Sequence, residues 1–143
     1  MLRRHVENDN PAAVCHLGSC YEDGDLGLVP SHKKAARLFQ RAADLGDVLA
    51  TFNLGFAYDH GRGVKLDKKK AVKYYRMAAD RGHADAQFNL GCSFRDGDGV
   101  AQDFAEAFRF YKLAADQGHT KAENNLGFLY ANGRGVAASL SRA

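Results

Sequence analysis

Apolar and polar residues follow two helical patterns that alternate along the chain. In the first pattern, between Val48 and Asp59, large apolar side chains recur with helical rather than strand spacing, and no proline interrupts them. The second pattern is rich in alanine on one face and occurs three times. Its alanines are Ala35, Ala42 and Ala43, then Ala71, Ala78 and Ala79, then Ala107, Ala114 and Ala115. The sequence therefore predicts pairs of helices, which we name helix A and helix B of each pair.

Glycines punctuate these helices at a nearly constant interval. The dipeptide Leu-Gly recurs at Leu17-Gly18, Leu54-Gly55, Leu90-Gly91 and Leu126-Gly127. The steps are 37, 36 and 36 residues, and a Gly-x-Gly-Val turn follows the last three copies. The first copy has Gly24-Asp25-Leu26-Gly27 instead, which is one residue longer. All 15 glycines occupy repeat-equivalent positions, a regularity typical of stacked repeats in a solenoid.

The residues between the helices are suited to end one helix and begin the next. The glycine pair after helix A can end that helix, because glycine enters the left-handed backbone region at little cost. Ser31, Asp67 and Asp103 stand where a side-chain oxygen would cap helix B. Glu106, three residues after Asp103, predicts a reciprocal capping box.

The units resemble Sel1-like repeats, the relatives of tetratricopeptide repeats. The third unit matches the family pattern almost in full, through residues 84–100 and then Asp103, Glu106-Ala107, Phe110-Tyr111, Ala114-Ala115 and Gly118. It departs at Phe94, where the other units have tyrosine, and glycine would be expected in place of Asp9. The resemblance implies an all-α, right-handed αα-superhelix (solenoid) of about four tandem 36-residue helix-turn-helix repeats, used as a protein-binding scaffold without chemistry of its own.

Repeat spacing divides the chain into one domain of four units, roughly 10–46, 47–82, 83–118 and 119–143. The last unit is expected to be incomplete, because the equivalent of Ala107 is Ala143. Leu2 to Val6 aligns with the second half of a helix B, so the array is expected to be truncated at both ends. Exposed repeat ends would fray or associate with another chain, since terminal repeats normally need a polar outer face.

Composition and charge narrow the class of protein. The chain has 143 residues, 45% of them hydrophobic and 26% charged, which is ordinary for a globular domain. A net charge of +3 is too small to drive nucleic-acid binding by charge alone. Three cysteines without a CxxC pair, and the lack of a signal peptide or an apolar run of membrane length, predict a cytoplasmic protein, with the nucleus as the alternative.

No motif in the sequence predicts catalysis or a cofactor. The Gly-x-Gly turns follow helices rather than strands and have no Gly-Lys-Ser/Thr ending, so they are interpreted as helix stops rather than phosphate loops. His16 and Cys20 share a helix face but provide two ligands where structural zinc takes four. His83 and His119 lie one repeat apart and are interpreted as cap or first-turn residues of a helix rather than a metal or acid–base pair. We therefore expect no enzymatic activity, no metal, no cofactor and no small-molecule substrate.

The most informative polar repeat lies on helix A, immediately before each Leu-Gly. Asparagine occupies this position in three units and histidine in the first, with aromatic side chains on either side. In tetratricopeptide-like solenoids helix A lines the concave groove, where an amide can both donate to and accept from a peptide backbone. The candidate groove residues are His16, Asn53, Asn89, Asn125, Phe52, Phe56, Phe88 and Phe128. The alternative is that the asparagines bond to neighbouring repeats and the phenylalanines belong to the core.

A second candidate surface is basic. The lysines of helix B suggest docking on an anionic partner, either nucleic acid or an acidic protein, with nucleic acid the less favoured of the two. Its residues are Lys33, Lys34, Lys69, Lys70 and Lys73. The third unit has Ala105 and Glu106 at the equivalent positions, so the stripe does not continue. The favoured interpretation is that these lysines form the solvated face of helix B. The leading prediction is a scaffold that holds a peptide or helix of another protein in the groove, without membrane contact.

Overall fold

Residues 2–131, the part of the chain that the computed structural model describes, form eight α-helices and no strand. The helices are α1 (Leu2–Glu7), α2 (Pro11–Asp23), α3 (His32–Asp44), α4 (Val48–His60), α5 (Lys68–Asp80), α6 (Ala84–Asp96), α7 (Phe104–Ala115) and α8 (Thr120–Ala131). Helices α2, α4, α6 and α8 are helix A of successive repeats, and α3, α5 and α7 are helix B. The all-α prediction and the tandem helix pairs are confirmed. The fourth helix B, predicted to start near Ser139, lies outside the described residues.

Side-chain caps start the helices where the sequence placed them. The Ser31 hydroxyl accepts from the amide of Lys34 at 3.1 Å, and the Asp103 carboxylate accepts from the amide of Glu106 at 3.1 Å. The reciprocal half of the capping box does not form, because the Glu106 carboxylate instead binds the Arg109 guanidinium at 3.0 Å. One bond of each cap is therefore sufficient here.

The turn between helices A and B depends on glycine at Gly63. Its φ is +75°, and a Cβ built there would lie 2.1 Å from the carbonyl oxygen of His32. No side chain fits at that distance, so glycine allows the turn of one repeat to pack against the first residue of α3. The turn before α3 is a 3₁₀ segment, Asp25–Gly27, which accommodates the extra residue of the first repeat.

The chain divides into two compact units, with the boundary between Tyr74 and Tyr75. In the first unit, α1 to α4 enclose a core of small and branched side chains around one aromatic ring. Its buried members are Val6, Val14, Cys15, Ala35, Phe39, Ala42, Ala50 and Leu54. Small residues let the helix backbones approach, and Phe39 fills the space between them.

The second unit has a core of larger rings. Phe94 and Phe110 stack with centroids 5.9 Å apart and planes inclined by 2°. Leu90, Tyr111 and Leu129 are at most 1% exposed. Each of these five residues comes from α6, α7 or α8, so the three helices share one interior.

Candidate functional site

The eight candidate groove residues all lie on A helices, four in each unit. In the first unit, His16 is on α2, and Phe52, Asn53 and Phe56 are on α4. The second unit has Phe88 and Asn89 on α6 and Asn125 and Phe128 on α8. His16 and Phe128 are exposed, and the other six are half-buried. None is fully buried, so each of the eight side chains has some surface open to solvent.

The first unit has a hollow between α2, α3 and α4 that brings two of these residues together. Its volume is about 170 Å³. The lining residues are Ser19, Glu22, Asp23, Ala36, Phe39, Asn53, Phe56, Ala57 and Arg62. Ala36, Phe39 and Ala57 are buried and form the floor, whereas the carboxylates, the amide and the guanidinium lie higher up. A cavity of roughly 150 Å³ can hold a benzene ring, so this hollow has room for one side chain of a ligand.

Charged groups are held in place at the edge of this hollow. The Glu22 carboxylate pairs with His32 Nδ1 at 2.6 Å and with an Arg62 guanidinium nitrogen at 3.5 Å. The same guanidinium lies over the Phe56 ring, 5.6 Å from its centroid. The His60 ring packs edge to face with the Phe56 ring, with centroids 4.0 Å apart. The Phe56 ring is thus held by contacts with two side chains, Arg62 and His60.

Asn53 contacts the neighbouring repeat only weakly. Its amide nitrogen lies 4.0 Å from the Cys15 sulfur, at the limit for a hydrogen bond to sulfur. Burial, together with the nearby carboxylate of Asp47, raises the pKa of the Cys15 thiol to about 12. Cys15 is therefore an un-ionised, buried thiol, and the Asn53 amide keeps hydrogen-bonding capacity toward the hollow.

In the second unit, Phe88 has a structural role. Its ring stacks on His119 with centroids 4.8 Å apart, and it packs against Tyr111 at 5.7 Å. His119 Nε2 in turn pairs with the Asp85 carboxylate at 2.8 Å. Sequence spacing did not associate a carboxylate with His119, because Asp85 is 34 residues away and meets it only through stacking of α6 and α8.

The two candidate groove asparagines of the second unit differ in their partners. The Asn125 side chain hydrogen-bonds to the Tyr111 hydroxyl, which also donates to Cys92 Sγ at 3.2 Å. The Asn89 side chain has no hydrogen-bond partner within residues 2–131; its backbone carbonyl accepts from the Ser93 hydroxyl at 3.2 Å. The same sequence position thus serves packing in one repeat and remains available in another.

His83 and His119, which the sequence placed either at a helix cap or in a first turn, both cap helices. Nδ1 of His83 accepts from the amide of Ala86 at 3.2 Å, and Nδ1 of His119 accepts from the amide of Ala122 at 3.1 Å. Burial lowers the pKa of His83, although Asp85 raises it in part. A neutral ring is needed for this contact, because only an unprotonated nitrogen accepts a hydrogen bond.

The five lysines of the basic candidate surface are all exposed. Lys34 and Lys70 lie over tyrosine rings, 5.5 Å from the centroid of Tyr21 and 5.2 Å from that of Tyr58. Lys73 lies 5.3 Å from the centroid of Tyr74. Apart from the repeat spacing of the tyrosines, no sequence feature indicates these ring contacts.

Sequence reasoning missed the charged rim of the first hollow. Glu22 and Asp23 belong to no motif, and Arg62 is the variable residue of a Gly-x-Gly-Val turn. The available signal was their position at the end of helix A and in its turn, next to the face that carries Asn53 and Phe56.

Groups of three or more histidine, cysteine, aspartate or glutamate side chains placed to hold a metal are absent from residues 2–131. Within the same residues, none of the helices has both the length and the apolar character required to cross a membrane.

A family model described as the Sel1 repeat matches four consecutive segments, residues 11–47, 48–83, 84–119 and 120–143. The chain belongs to the Sel1 repeat family. Proteins built from Sel1 repeats are generally non-catalytic scaffolds for protein–protein interaction. No curated protein matches the sequence closely enough to be called a relative.

Solved structures of Sel1-type proteins resemble this chain closely. A protective antigen of uropathogenic Escherichia coli strains, displaying an SLR fold, is 36% identical with a TM-score of 0.91 over 94% of this chain. A Sel1 repeat protein from Oxalobacter formigenes is 35% identical with a TM-score of 0.84 over 90% of this chain. This chain covers 28% and 52% of the lengths of those two proteins.

A third similarity concerns the fold. Helicobacter pylori cysteine rich protein B is 23% identical, with a TM-score of 0.70 over 87% of this chain and 94% of its own. This chain is thus similar in its helical fold to cysteine rich protein B, a protein of comparable length.

Proposed function

We propose that this Sel1 repeat chain is a non-catalytic adaptor that binds an extended segment of another protein on the A-helix face formed by α2 and α4. The observation that carries the proposal is the hollow of about 170 Å³, in which Asn53 and Phe56 meet the carboxylates of Glu22 and Asp23. Family membership supports a protein as the partner.

The chemistry of the hollow suits an extended peptide. The Asn53 amide offers both donors and an acceptor to a peptide backbone, and the exposed Asp23 carboxylate accepts from backbone N–H groups. Phe56 provides apolar surface held rigid by Arg62 and His60, so little conformational entropy is lost when a ligand packs on it. One apolar side chain of the ligand would occupy the space above Ala36 and Phe39.

In the second unit, the equivalent face would add Asn89 and Phe128. Asn89 is half-buried, and Phe128 is 60% exposed. Phe88 and Asn125, which contact Tyr111 and His119, are proposed to support this face rather than to touch the partner.

The experiment selects peptides from a random dodecapeptide phage library on the immobilised chain and measures their affinity by calorimetry. Phe56→Ala and Asn53→Ala are expected to weaken a selected peptide at least tenfold and about threefold, since buried aromatic contacts contribute more than a single amide. Leu113→Ala, which removes a 40% exposed apolar side chain from helix B, is the control and should bind as the wild type does. Equal affinity in all four proteins would contradict the proposal.

We propose a reducing, cytoplasmic setting for this activity. None of Cys15, Cys20 and Cys92 forms a disulfide in residues 2–131, so the described fold holds together with reduced cysteines. If the purified chain melted at a lower temperature in 5 mM reductant than without it, a disulfide would be involved and this setting would be wrong.

A further inference from the structure

A second surface of the first unit carries cationic side chains that are not used in ion pairs. It comprises the start of α3, the loop 61–66 and the start of α5, and we name it the lysine surface. Its exposed cations, none of which has an ion-pair partner within residues 2–131, are Lys33, Lys34, Arg37, Lys65, Lys69, Lys70 and Lys73. By contrast, Arg41, Arg62 and Lys68 of the same unit are paired with carboxylates.

The excess charge of the whole chain belongs to this unit. Residues 1–74 contain 12 lysines and arginines against 9 aspartates and glutamates, whereas residues 75–143 contain 8 of each. The net charge of +3 is therefore modest for the whole chain but comes entirely from residues 1–74. A local positive potential of this kind attracts an anionic partner to one face of the protein.

Next to these cations lies a groove with an apolar side. Its volume is about 400 Å³, and it is lined by Tyr58, Val64, Lys65, Leu66, Asp67 and Lys70. Leu66 is 53% exposed, so its side chain leaves apolar surface open to solvent along the groove. The Asp67 carboxylate caps α5 by accepting from the amide of Lys70 at 3.1 Å. The groove therefore presents the ammonium groups of Lys65 and Lys70, neither of which has an ion-pair partner in residues 2–131, beside an apolar wall.

The start of α3 adjoins this groove. The loop that contains Val64 and Leu66 passes so close to α3 that a Cβ at Gly63 would lie 2.1 Å from the His32 carbonyl oxygen. Lys33 follows His32 directly, so the cations at the start of α3 and those at the start of α5 flank the same loop.

The aromatic rings of this surface favour a peptide over single-stranded nucleic acid. Tyr58 stacks on Tyr74, with centroids 5.8 Å apart and planes inclined by 12°, and Lys70 lies over the Tyr58 ring. Tyr21 is similarly covered by Lys34. Proteins that bind single strands need free aromatic faces for the bases, and these rings are already occupied. Six of the seven cations are lysines, which bind carboxylates as point charges without the bidentate geometry of arginine.

We propose that the lysine surface docks an acidic peptide segment of a partner protein, with carboxylates of the segment on Lys33, Lys69 and Lys70 and an apolar side chain in the groove beside Leu66. Charge complementarity selects the acidic segment, and the groove selects an apolar residue within it. This site is separate from the A-helix face and does not depend on the function proposed for that face.

The test uses fluorescence anisotropy at 50 mM salt with two labelled peptides of equal charge, (Glu-Glu-Leu)₄ and (Glu-Glu-Ser)₄. The leucine peptide is expected to bind more tightly, and Lys69→Gln/Lys70→Gln should weaken it about fivefold, given the usual strength of exposed charge pairs. The matched control is Lys112→Gln/Lys121→Gln, which removes the same charge from the second unit and should change affinity less than twofold. Leu66→Ser should weaken the leucine peptide and leave the serine peptide unchanged.

Two further probes decide the class of partner. A 20-nucleotide oligo-dT and vesicles with 30% phosphatidylserine are titrated under the same conditions, and both should bind more weakly than the leucine peptide. Tighter binding of either probe would overturn the acidic-peptide assignment. So would equal binding of the leucine peptide by the wild type and the Lys69→Gln/Lys70→Gln variant, or no measurable binding of that peptide at all. Circular dichroism of each variant confirms that the exposed substitutions leave the helices intact.

Discussion

The Tyr111 ring of α7 lies directly against Gly91 in the middle of α6. A Cβ at residue 91 would be 2.8 Å from ring atoms Cδ1 and Cε1 of Tyr111, closer than real Cβ contacts allow. Gly18 and Phe39 have the same relationship in the first unit, also at 2.8 Å. At Gly18 and Gly91, the Leu-Gly dipeptide therefore marks the point where helix B places a ring against the backbone of helix A.

Gly91→Ala should destabilise the protein in spite of alanine's better helix propensity. Alanine gains about 1 kcal/mol in a helix, but Tyr111 is fully buried and cannot move away, so overpacking should cost about 1–3 kcal/mol. We expect a net loss in the free energy of unfolding, measured by urea denaturation. Gly127→Ala is the matched control, because within residues 2–131 nothing lies within 4 Å of a Cβ at that position. That variant should be more stable by up to about 1 kcal/mol, and stabilisation by both substitutions would contradict the packing argument.

Leu90→Ala should cost about 2–5 kcal/mol of unfolding free energy. Leu90 is fully buried in the second unit, so truncation removes apolar contacts and leaves a cavity. Thermal unfolding followed by circular dichroism measures the effect. Leu113→Ala, at a leucine that is 40% exposed, should change stability by less than about 0.5 kcal/mol. Similar melting temperatures for the two variants would show that Leu90 is not a core residue.

The asparagines of α6 and α8 should respond differently to the same substitution. Asn125→Ala removes a hydrogen bond to the Tyr111 hydroxyl and should cost about 0.5–1.5 kcal/mol. Asn89→Ala removes a side chain with no such partner in the described part of the chain, and should cost less than about 0.5 kcal/mol. Urea denaturation of the two variants provides the comparison. A larger loss of unfolding free energy for Asn89→Ala than for Asn125→Ala would contradict the structural role assigned to Asn125.

The free energy of unfolding should fall as the pH is lowered from 7 towards 5, in part because His83 becomes protonated. Burial lowers the pKa of His83 in the folded state, so the unfolded chain binds the proton more readily once the pH drops below the ordinary histidine pKa of about 6.5. Protonation also removes the Nδ1 acceptor that caps α6. Asparagine caps α2 from the equivalent position, so His83→Asn should keep the cap and reduce the pH dependence between 7 and 5. An unchanged slope in the free energy of unfolding would rule out His83 as its source.

Thiol labelling should distinguish the three cysteines. Burial raises the pKa of Cys15 to about 12, and at pH 8 almost none of it is the reactive thiolate. Burial also raises the pKa of Cys20, whereas Cys92 is half-buried. Iodoacetamide should therefore modify Cys92 first in the native protein and all three in 6 M urea, as read by peptide mass spectrometry. Early modification of Cys15 would mean that α2 opens readily.

The helix pairs and their ends could be predicted from local sequence alone. Glycine at Gly61 and Gly63 and a cap at Ser31 or Asp103 act over a few residues, so their effect on the backbone can be deduced from spacing. The alanine face of helix B and the Leu-Gly dipeptide of helix A likewise predicted close packing, because small residues have that consequence in any helical stack.

The contacts of each repeated side chain, by contrast, depend on how the helices pack and could not be predicted from the repeat. Asn53, Asn89 and Asn125 are equivalent in sequence, yet one lies at the edge of a hollow, one has no partner in the described residues and one bonds to Tyr111. Glu22 and Arg62, or His119 and Asp85, come together because the packing of neighbouring repeats brings them within reach. Such contacts depend on distances between side chains that are remote in sequence, and local spacing carries no record of them.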